Sequence, residues 1–327
     1  MKNLSKLLAV LLVLAVLCGL TVAMVACDDN TGIVPDGGGQ SKIVRISTTT
    51  SVNDSGLMAY LQPYFKADTG YDWEIASAGT GAAIRSAEYG NADVILVHSK
   101  SSEEEFVDAG FARTVDGYAG ERISFMYNYF VLVGPSADPA GVADIAATSD
   151  DVKEGFAAIA ETESKFISRG DESGTHNAEV KLWAKNLGIT SKDDCATYDW
   201  YISAGQGMGA CLTMANEEGA YVLTDKATYL SYKNSADGDK LPNLTLLWEE
   251  SDAMKNTYTM IAVNPDAPFT DSVTGEALPE GQVKIDTQAA NVFINWMNSV
   301  HARYLIEQYG VEEYNEHLFF LQDLDLA

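Results

Sequence analysis

Residues 166–180 read FISRGDESGTHNAEV. The apolar run at 166–168 is followed by a turn with two glycines and then by a segment with the spacing of a helix. A strand, a glycine-rich turn and a helix in this order form the repeating unit of α/β folds. We therefore expect the turn at 169–175 to lie at the carboxyl end of a strand, where helix N-termini present unpaired backbone N–H groups.

The turn at 169–175 carries groups that donate hydrogen bonds. Arg169 has a planar guanidinium that suits two oxygens of a tetrahedral anion, and Ser173 and Thr175 add hydroxyls. Gly174 lets the backbone approach a ligand closely, and Asp171 can hold the guanidinium in position. These residue types predict a site for an anion that needs only donors, and a surface turn with a chance ion pair is the alternative.

Two more turns offer the same chemistry. STTTS at 47–51 and Gly79-Thr80-Gly81 each follow a predicted strand and precede a predicted helix, so their hydroxyl and N–H groups are candidate donors. Ser and Thr are also ordinary helix caps and glycine is an ordinary turn residue, so helix capping explains these two turns equally well. The candidates from these turns are Thr49, Thr50, Ser51, Thr80 and Gly81.

Apolar and β-branched runs alternate along the chain with segments of helical periodicity. This alternation predicts an α/β fold with largely parallel sheets. The predicted strands are 43–47, 73–77, 92–98, 126–133, 166–168, 244–248 and 258–263, and the predicted helices are 55–68, 82–89, 175–186, 208–217, 287–299 and 301–309.

The length of the chain favours two lobes, because about 300 residues exceed what one hydrophobic core fills. We predict a first lobe at 42–130, a second at 131–243 and a return to the first at 244–327. The second lobe is placed after the strand 126–133, since Gly134-Pro135 cannot continue a regular ladder. Two crossings between the lobes imply a hinge, and a hinge implies a ligand cleft.

The N-terminus has the organisation of a signal peptide. Lys2 and Lys6 precede an apolar run at 7–25 that ends at Ala26-Cys27. We predict a lipoprotein-type signal peptide at 1–26 and a flexible linker at 27–41, with an uncleaved spanning helix as the alternative. Met24-Val25-Ala26-Cys27 resembles a lipobox, which implies that Cys27 carries the lipid that anchors the protein to the membrane.

The net charge of the chain limits its possible partners. The formal net charge is −26 and becomes −28 once Lys2 and Lys6 leave with the signal peptide, so nucleic acid is excluded as a partner. Anions must then be bound by local donors, because the long-range field repels them.

Cysteine and histidine spacing leads to two further predictions. Once the signal peptide is removed and Cys27 carries the lipid, Cys195 and Cys211 are the two cysteines that remain. They form either a disulfide or two buried thiols. The four histidines have no metal-ligand spacing, so we predict no metal site and no cofactor, and we interpret the histidines as core or surface residues. They are His98, His176, His301 and His317.

Arg169-x-Asp171-x-Ser173-Gly174-Thr175 resembles the motif of the phosphate-binding proteins of ABC importers, which belong to the type II periplasmic-binding superfamily. Residues 43–247 are more similar still to the tungstate-binding proteins of tungstate ABC importers. The strings that carry this similarity are TTTS at 48–51, DSGL at 54–57, ADVILVH at 92–98, MYN at 126–128, VLVGP at 131–135, SRGD at 168–171, GTHxxE at 174–179, GQGMG at 205–209 and LTD at 223–225.

The resemblance implies a two-lobed Venus-flytrap protein that captures tungstate outside the cytoplasm, as a monomer, and delivers it to an ABC permease. It also implies which residues contact the oxyanion: Thr49, Thr50 and Ser51 from one lobe, and Arg169, Ser173, Gly174 and Thr175 from the other. Molybdate is the alternative ligand, because the resemblance alone favours tungstate. Phosphate stays open as well, since it carries a proton and Asp171 could be either its acceptor or the partner of Arg169.

A serine hydrolase built from Ser173, His176 and Asp171 is the rival from another class. Neighbouring positions on one turn rarely give a nucleophile, a base and an orienting acid the geometry of a triad. The segment also lacks a Gly-x-Ser-x-Gly elbow. We therefore predict that the protein is not an enzyme.

The anchor prediction is tested by Cys27→Ala. We expect this variant to leave the membrane fraction while it keeps its ligand affinity, because the linker separates the lipid from the folded body. Cell fractionation and titration of the released protein measure the two properties. Retention in the membrane fraction would favour the uncleaved spanning helix.

Overall fold

The strands of residues 42–190 and 198–327, the ranges that the computed structural model describes, join into one eleven-stranded sheet. The order along its main path is β2-β1-β3-β10-β5-β8-β6-β7. The strands are β1 (Ile43–Thr49), β2 (Asp72–Ala78), β3 (Val94–Val97), β4 (Ala112–Arg113), β5 (Ile123–Pro135), β6 (Phe166–Ser168), β7 (Tyr201–Ser203), β8 (Tyr221–Asp225), β9 (Leu244–Trp248), β10 (Lys255–Val263) and β11 (Phe320–Leu321).

Helices cover both faces of the sheet. They are α1 (Thr50–Asp54), α2 (Leu57–Thr69), α3 (Thr80–Glu88), α4 (Lys100–Asp108), α5 (Val142–Ala146), α6 (Val152–Glu161), α7 (Gly174–Glu179), α8 (Met208–Glu218), α9 (Lys226–Lys233), α10 (Thr287–Met297), α11 (Val300–Gln308) and α12 (Val311–Tyr314). Two 3₁₀ turns lie at Lys185–Leu187 and Asp252–Met254.

The first half of the sheet and its helices form one lobe. β1 pairs in parallel with β2 and β3, and β10 runs antiparallel between β3 and β5. β3 is buried on both faces: Leu96 packs in the core beneath α2 and α10, whereas Ile95 packs in the core beneath α3 and α4. Because β1 and β3 pair in parallel, their carboxyl ends lie at the same edge of the sheet.

The second half of the sheet forms the other lobe. β6 pairs in parallel with β7 and β8, and β8 pairs antiparallel with β5. One face is covered by α6 with Phe156 and by the ring of Trp183, and the other by α8 with Met208 and Cys211. The central strands β6 and β8 are buried on both faces, whereas the edge strand β7 is partly exposed.

β5 connects the two lobes without a break. It pairs with β10 through Ile123–Tyr129 and with β8 and β9 through Phe130–Pro135. The chain crosses back between β9 and β10, through the 3₁₀ turn Asp252–Met254. The outgoing and returning strands are necessarily antiparallel, so the sheet is mixed rather than dominated by parallel pairs as predicted.

Two boundary predictions are wrong. β9 was expected to return to the first lobe, but it pairs with Leu132–Pro135 and buries Trp248 in the core of the second lobe. β5 was expected to leave the ladder at Gly134-Pro135, yet both residues pair with β9. Gly134 is needed there, because a Cβ would lie 2.4 Å from the Tyr221 ring.

The helix predicted at 175–186 is also shorter than expected. It ends at Glu179, and a 3₁₀ turn follows at Lys185–Leu187. The predicted signal peptide, the linker with Cys27, and Cys195 lie outside the described residues. In the described part of the chain, no helix has the length and apolar character needed to cross a membrane.

Candidate functional site

The turns that follow β1, β2 and β6 meet where the two lobes face each other. Arg169 Nη2 of the second lobe donates to Thr50 Oγ1 of the first, at 3.3 Å. A Cβ on Gly79 would lie 3.6 Å from the Asp171 carbonyl oxygen, and one on Gly174 would lie 2.0 Å from His98 Cε1. The structure thus brings all three predicted donor turns together in one interlobe cleft.

Arg169 is held by Asp171. The Arg169 side chain is 3% exposed, and its Nε and Nη2 atoms donate to Asp171 Oδ2 at 3.1 and 2.5 Å. Asp171 Oδ1 accepts the Ser173 N–H at 3.2 Å. Because both carboxylate oxygens already accept hydrogen bonds within the turn, the contacts favour Asp171 as the partner of Arg169 over Asp171 as the acceptor of a ligand proton.

The backbone of the 169–175 turn is tightly constrained. Gly170 has a φ of +59°, and a Cβ there would lie 2.0 Å from Ser203 Oγ, so this position requires glycine. Glu172 also takes a positive φ of +55°, which is uncommon for a residue with a side chain. Ser173 then caps α7 by accepting the His176 N–H at 3.2 Å. The close approach of Ser203 at Gly170 and the Ser173 cap of α7 therefore hold the turn in one conformation.

The first-lobe donors cluster around an imidazole. Thr49 caps α1, and its Oγ1 lies 3.1 Å from Ser51 Oγ. Both hydroxyl oxygens lie 3.0 Å from His98 Nε2. Burial lowers the pKa of His98 to about 4, an effect that the charge of Arg169 reinforces and the Asn256 side chain opposes. His98 is therefore neutral at neutral pH.

His98, interpreted from the sequence as a core or surface residue, packs against the Tyr258 ring and lies within hydrogen-bond distance of the candidate ligand residues Thr49 and Ser51. The sequence did contain a signal for it. His98 directly follows β3, which is parallel to β1 and ends at the same edge of the sheet as Thr49. Side chains that follow neighbouring parallel strands meet at that edge.

Two predicted donors are buried without partners. Within the described residues, the hydroxyls of Thr80 and Thr175 make no hydrogen bond, although each residue is only 1% exposed. A buried polar group without a partner costs about 1–3 kcal/mol and is uncommon in native proteins. A bound oxyanion would remove this cost. Gly81 lies beside Thr80 in the first turn of α3.

The hydrolase geometry is not formed. Ser173 Oγ accepts the backbone N–H of His176, and His176 Nδ1 accepts the Glu172 N–H at 3.0 Å. These contacts orient the imidazole toward the backbone of its own turn and leave it without a hydrogen bond to the Ser173 hydroxyl. The arrangement does not activate Ser173 as a nucleophile.

Two other predictions concern cysteine and metal. Among the described residues, no group of His, Cys, Asp and Glu has the arrangement of a metal site. Cys211 is buried, and its Sγ lies 3.6 Å from the Gln206 carbonyl oxygen. Its proposed partner Cys195 lies outside the described residues, so the disulfide stays a prediction.

The buried carboxyl of Glu179 stabilises the turn at 169–175 through hydrogen bonds to its neighbours. Glu179 ends α7 and accepts from Ser168 Oγ at 2.5 Å, from Trp183 Nε1 at 2.8 Å and from the Tyr201 hydroxyl at 2.9 Å. Burial raises the pKa of Glu179 to about 7, although these three hydrogen bonds oppose the shift. Glu179 thereby ties the end of α7 to the strand residue that precedes Arg169.

Comparison with known proteins shows what the chain is similar to. A family model described as a PBP superfamily domain matches residues 35–300. The tungstate-binding protein TupA of Peptoclostridium acidaminophilum is 41% identical over 276 residues, which are 84% of each chain.

Two solved structures are similar over most of this chain. The tungstate-binding protein TupA of Desulfovibrio alaskensis G20 is 34% identical, with a TM-score of 0.65 over 86% of this chain and 98% of that one. The tungstate ABC transporter structure from Geobacter sulfurreducens is 35% identical, with a TM-score of 0.64 over 82% of this chain and 98% of that one.

The raised pKa of Glu179 predicts a pH-dependent stability. For a carboxyl whose pKa is raised by folding, the stabilising contribution is complete below its unfolded value of 4.5 and is lost as pH rises through about 7. We expect the free energy of unfolding of Glu179→Gln to lack this component, because the amide does not titrate. Its oxygen can accept from Trp183 Nε1 and the Tyr201 hydroxyl, and its NH₂ group can donate to Ser168 Oγ. Urea titrations of both proteins at about pH 5 and about pH 8 measure the difference, and parallel pH profiles would contradict it.

Proposed function

The chain belongs to the PBP superfamily, and from this membership we propose that it is an extracytoplasmic solute-binding protein that captures tungstate for an ABC importer. The observation that carries the proposal is the buried guanidinium of Arg169 between the lobes, held by Asp171 and in contact with Thr50. The turns that meet at this charge also carry the buried hydroxyls of Thr80 from the first lobe and Thr175 from the second. The arrangement is that of a cleft that closes on a small anion.

The chemistry of the cleft suits an anion without a proton. Arg169 supplies a charge and N–H donors, and Thr80 and Thr175 supply buried hydroxyls that have no partner among the described residues. The carboxylate of Asp171 is already engaged by Arg169 and by the Ser173 N–H. A tetrahedral dianion that only accepts hydrogen bonds is therefore the best match.

The choice among tetrahedral anions rests on two arguments. Hydrogen phosphate has a proton to donate, and the contacts of Asp171 leave it poorly placed to accept that proton. Tungstate is favoured over molybdate because the curated relative and both similar structures are named for tungstate. Molybdate has nearly the same size and charge, so it remains the alternative ligand.

The proposal extends to the rest of the transport cycle. We propose that the protein is attached to the membrane through a lipid on Cys27, acts as a monomer and delivers its ligand to a permease. The apolar run, the cysteine and the glycine-rich linker of the sequence support the anchor. The hydrogen bonds of Ser173 and His176 support a binding role rather than a hydrolytic one.

Thermal unfolding with four anions tests the ligand. We expect tungstate to raise the melting temperature strongly, because a ligand at about a thousand times its Kd stabilises the native state by about 4 kcal/mol. Phosphate and sulfate at the same concentration should have little effect, and calorimetric titration should place molybdate beside tungstate. Equal shifts with phosphate would contradict the tungstate assignment.

Arg169→Lys tests the arginine. We expect tungstate affinity to fall by about ten- to a hundred-fold, because an ammonium keeps the charge but loses the paired N–H geometry. Asp171→Asn should cost less, since the amide keeps the size and part of the hydrogen bonding. Arg303→Lys is a matched control, because Arg303 bonds the Gln322 carbonyl in the first lobe. Wild-type affinity in Arg169→Lys would show that Arg169 does not bind the ligand.

A further inference from the structure

A pocket of about 480 Å³ lies beside the cleft, and residues of both lobes line it. Ser99, Lys100 and Arg122 come from the first lobe, whereas Asn177 and Lys181 come from the second. The helix α4 begins at Lys100, so the positive end of its dipole lies at the pocket. The pocket therefore has the setting of a place where an anion is attracted.

The side chains that line this pocket are mostly basic where they are charged. Among the described residues that line it, four carry a positive charge, and Glu103 is the only acid. The four are Lys100, Arg122, Lys181 and Lys255, and we call the space that they line the basic pocket. Its charge is opposite to that of the chain as a whole, which is −26.

Arg122 and Glu103 neutralise each other within the basic pocket. Arg122 donates from Nε and Nη2 to Glu103 Oε2, at 3.0 and 2.5 Å. The Glu103 side chain is 1% exposed, so the pair is held on the protein side of the pocket. The excess positive charge of the basic pocket therefore comes from its three lysines.

The three lysines have little compensation from acidic neighbours. Lys100 Nζ lies 3.7 Å from Glu104 Oε1, and both side chains are exposed, so this ion pair contributes little. Lys181 and Lys255 form no ion pair within residues 42–190 and 198–327. Lys255 Nζ lies 3.4 Å from the uncharged Gln322 Oε1. An anion in the basic pocket would supply the missing opposite charge.

The contact between His98 and Gly174 lies between the basic pocket and the donors of the cleft. His98 and Gly174 line the pocket, whereas Thr49, Ser51 and Arg169 do not. A Cβ on Gly174 would lie 2.0 Å from His98 Cε1, so these two residues touch. His98 belongs to the first lobe and Gly174 to the second, so their contact opens when the lobes separate. The basic pocket is then continuous with the cleft.

We propose that the basic pocket collects the oxyanion from solution for the open cleft, so that its lysines raise the association rate without contacting the anion once it is bound. The inference rests on the proposed function, because it concerns the ligand of the same cleft. A cleft lined by one sign of charge concentrates its counter-ion and raises association rates by about 10- to 1000-fold. At an ionic strength of about 0.15 M, charges are screened beyond about 8 Å, so an anion in the pocket responds to the lining lysines more than to distant acids.

A triple variant tests the three lysines. Lys100→Gln, Lys181→Gln and Lys255→Gln together remove the excess charge of the basic pocket. Arg122 is kept, because it compensates the buried Glu103. None of the three lysines belongs to the three donor turns, so the donors of the cleft stay intact.

The matched control is a second triple variant. Lys153→Gln, Lys185→Gln and Lys284→Gln remove the same charge from exposed positions outside the basic pocket. The net charge changes equally in both triples, so a difference between them depends on where the charges lie. Melting temperatures without ligand show whether each variant is folded, and the single substitutions give the same comparison if a triple is unfolded.

Association and dissociation are measured separately. Rapid filtration with radiolabelled tungstate gives the association rate constant, and a chase with unlabelled tungstate gives the dissociation rate constant. At about 0.15 M salt we expect the pocket triple to associate about tenfold more slowly than the control triple, with dissociation unchanged. The difference should shrink at about 1 M salt, where charges are screened beyond about 3 Å.

The outcomes separate the two proposals. Equal association rates in the two folded triples would overturn the role of the basic pocket, while tungstate binding by the wild type stands. A loss of affinity that comes only from faster dissociation would also overturn it, because the lysines would then hold the bound anion. If the wild type binds none of the four anions, the proposed function fails, and the role of the basic pocket fails with it.

Discussion

A guanidinium keeps its charge in a protein, so Arg169, buried between the lobes, must be surrounded by groups that compensate it. Asp171 supplies the opposite charge, and Thr50 supplies an acceptor from the other lobe. The backbone on either side of Asp171 takes an uncommon conformation that places its carboxylate against Arg169. Gly170 and Glu172 both take positive φ values, and the Gln206 N–H donates to the Arg169 carbonyl at 3.2 Å. The conformation of the turn follows from the need to hold this one charge.

The ionisable groups around Arg169 have shifted toward their neutral forms. Burial raises the pKa values of Glu179 and Asp225 and lowers that of His98. The arginine reinforces the shift of His98 and opposes that of Asp225. These shifts reduce the negative charge near Arg169, although the chain as a whole carries −26. A dianion in the cleft would meet the Arg169–Asp171 ion pair and uncharged hydroxyl donors.

Local patterns were sufficient to predict the strand 166–168 and the donor turn after it, because a strand, glycines and a helix cap leave signals within a few residues. Long-range pairing was not predictable in this way. The strand Leu244–Trp248 was identified with its correct bounds but placed in the wrong lobe, since its partner lies more than a hundred residues away. His98 was missed because its neighbours Ser51 and Gly174 come from two other turns.

The continuous strand β5 has a consequence for folding. Its thirteen residues supply one strand to each half of the sheet, so neither half keeps all its ladder partners if the other unravels. Proteins whose lobes are joined only by loose linkers often unfold in separate steps. Here the shared strand couples the two cores, and the described body of the protein should melt as a single cooperative unit.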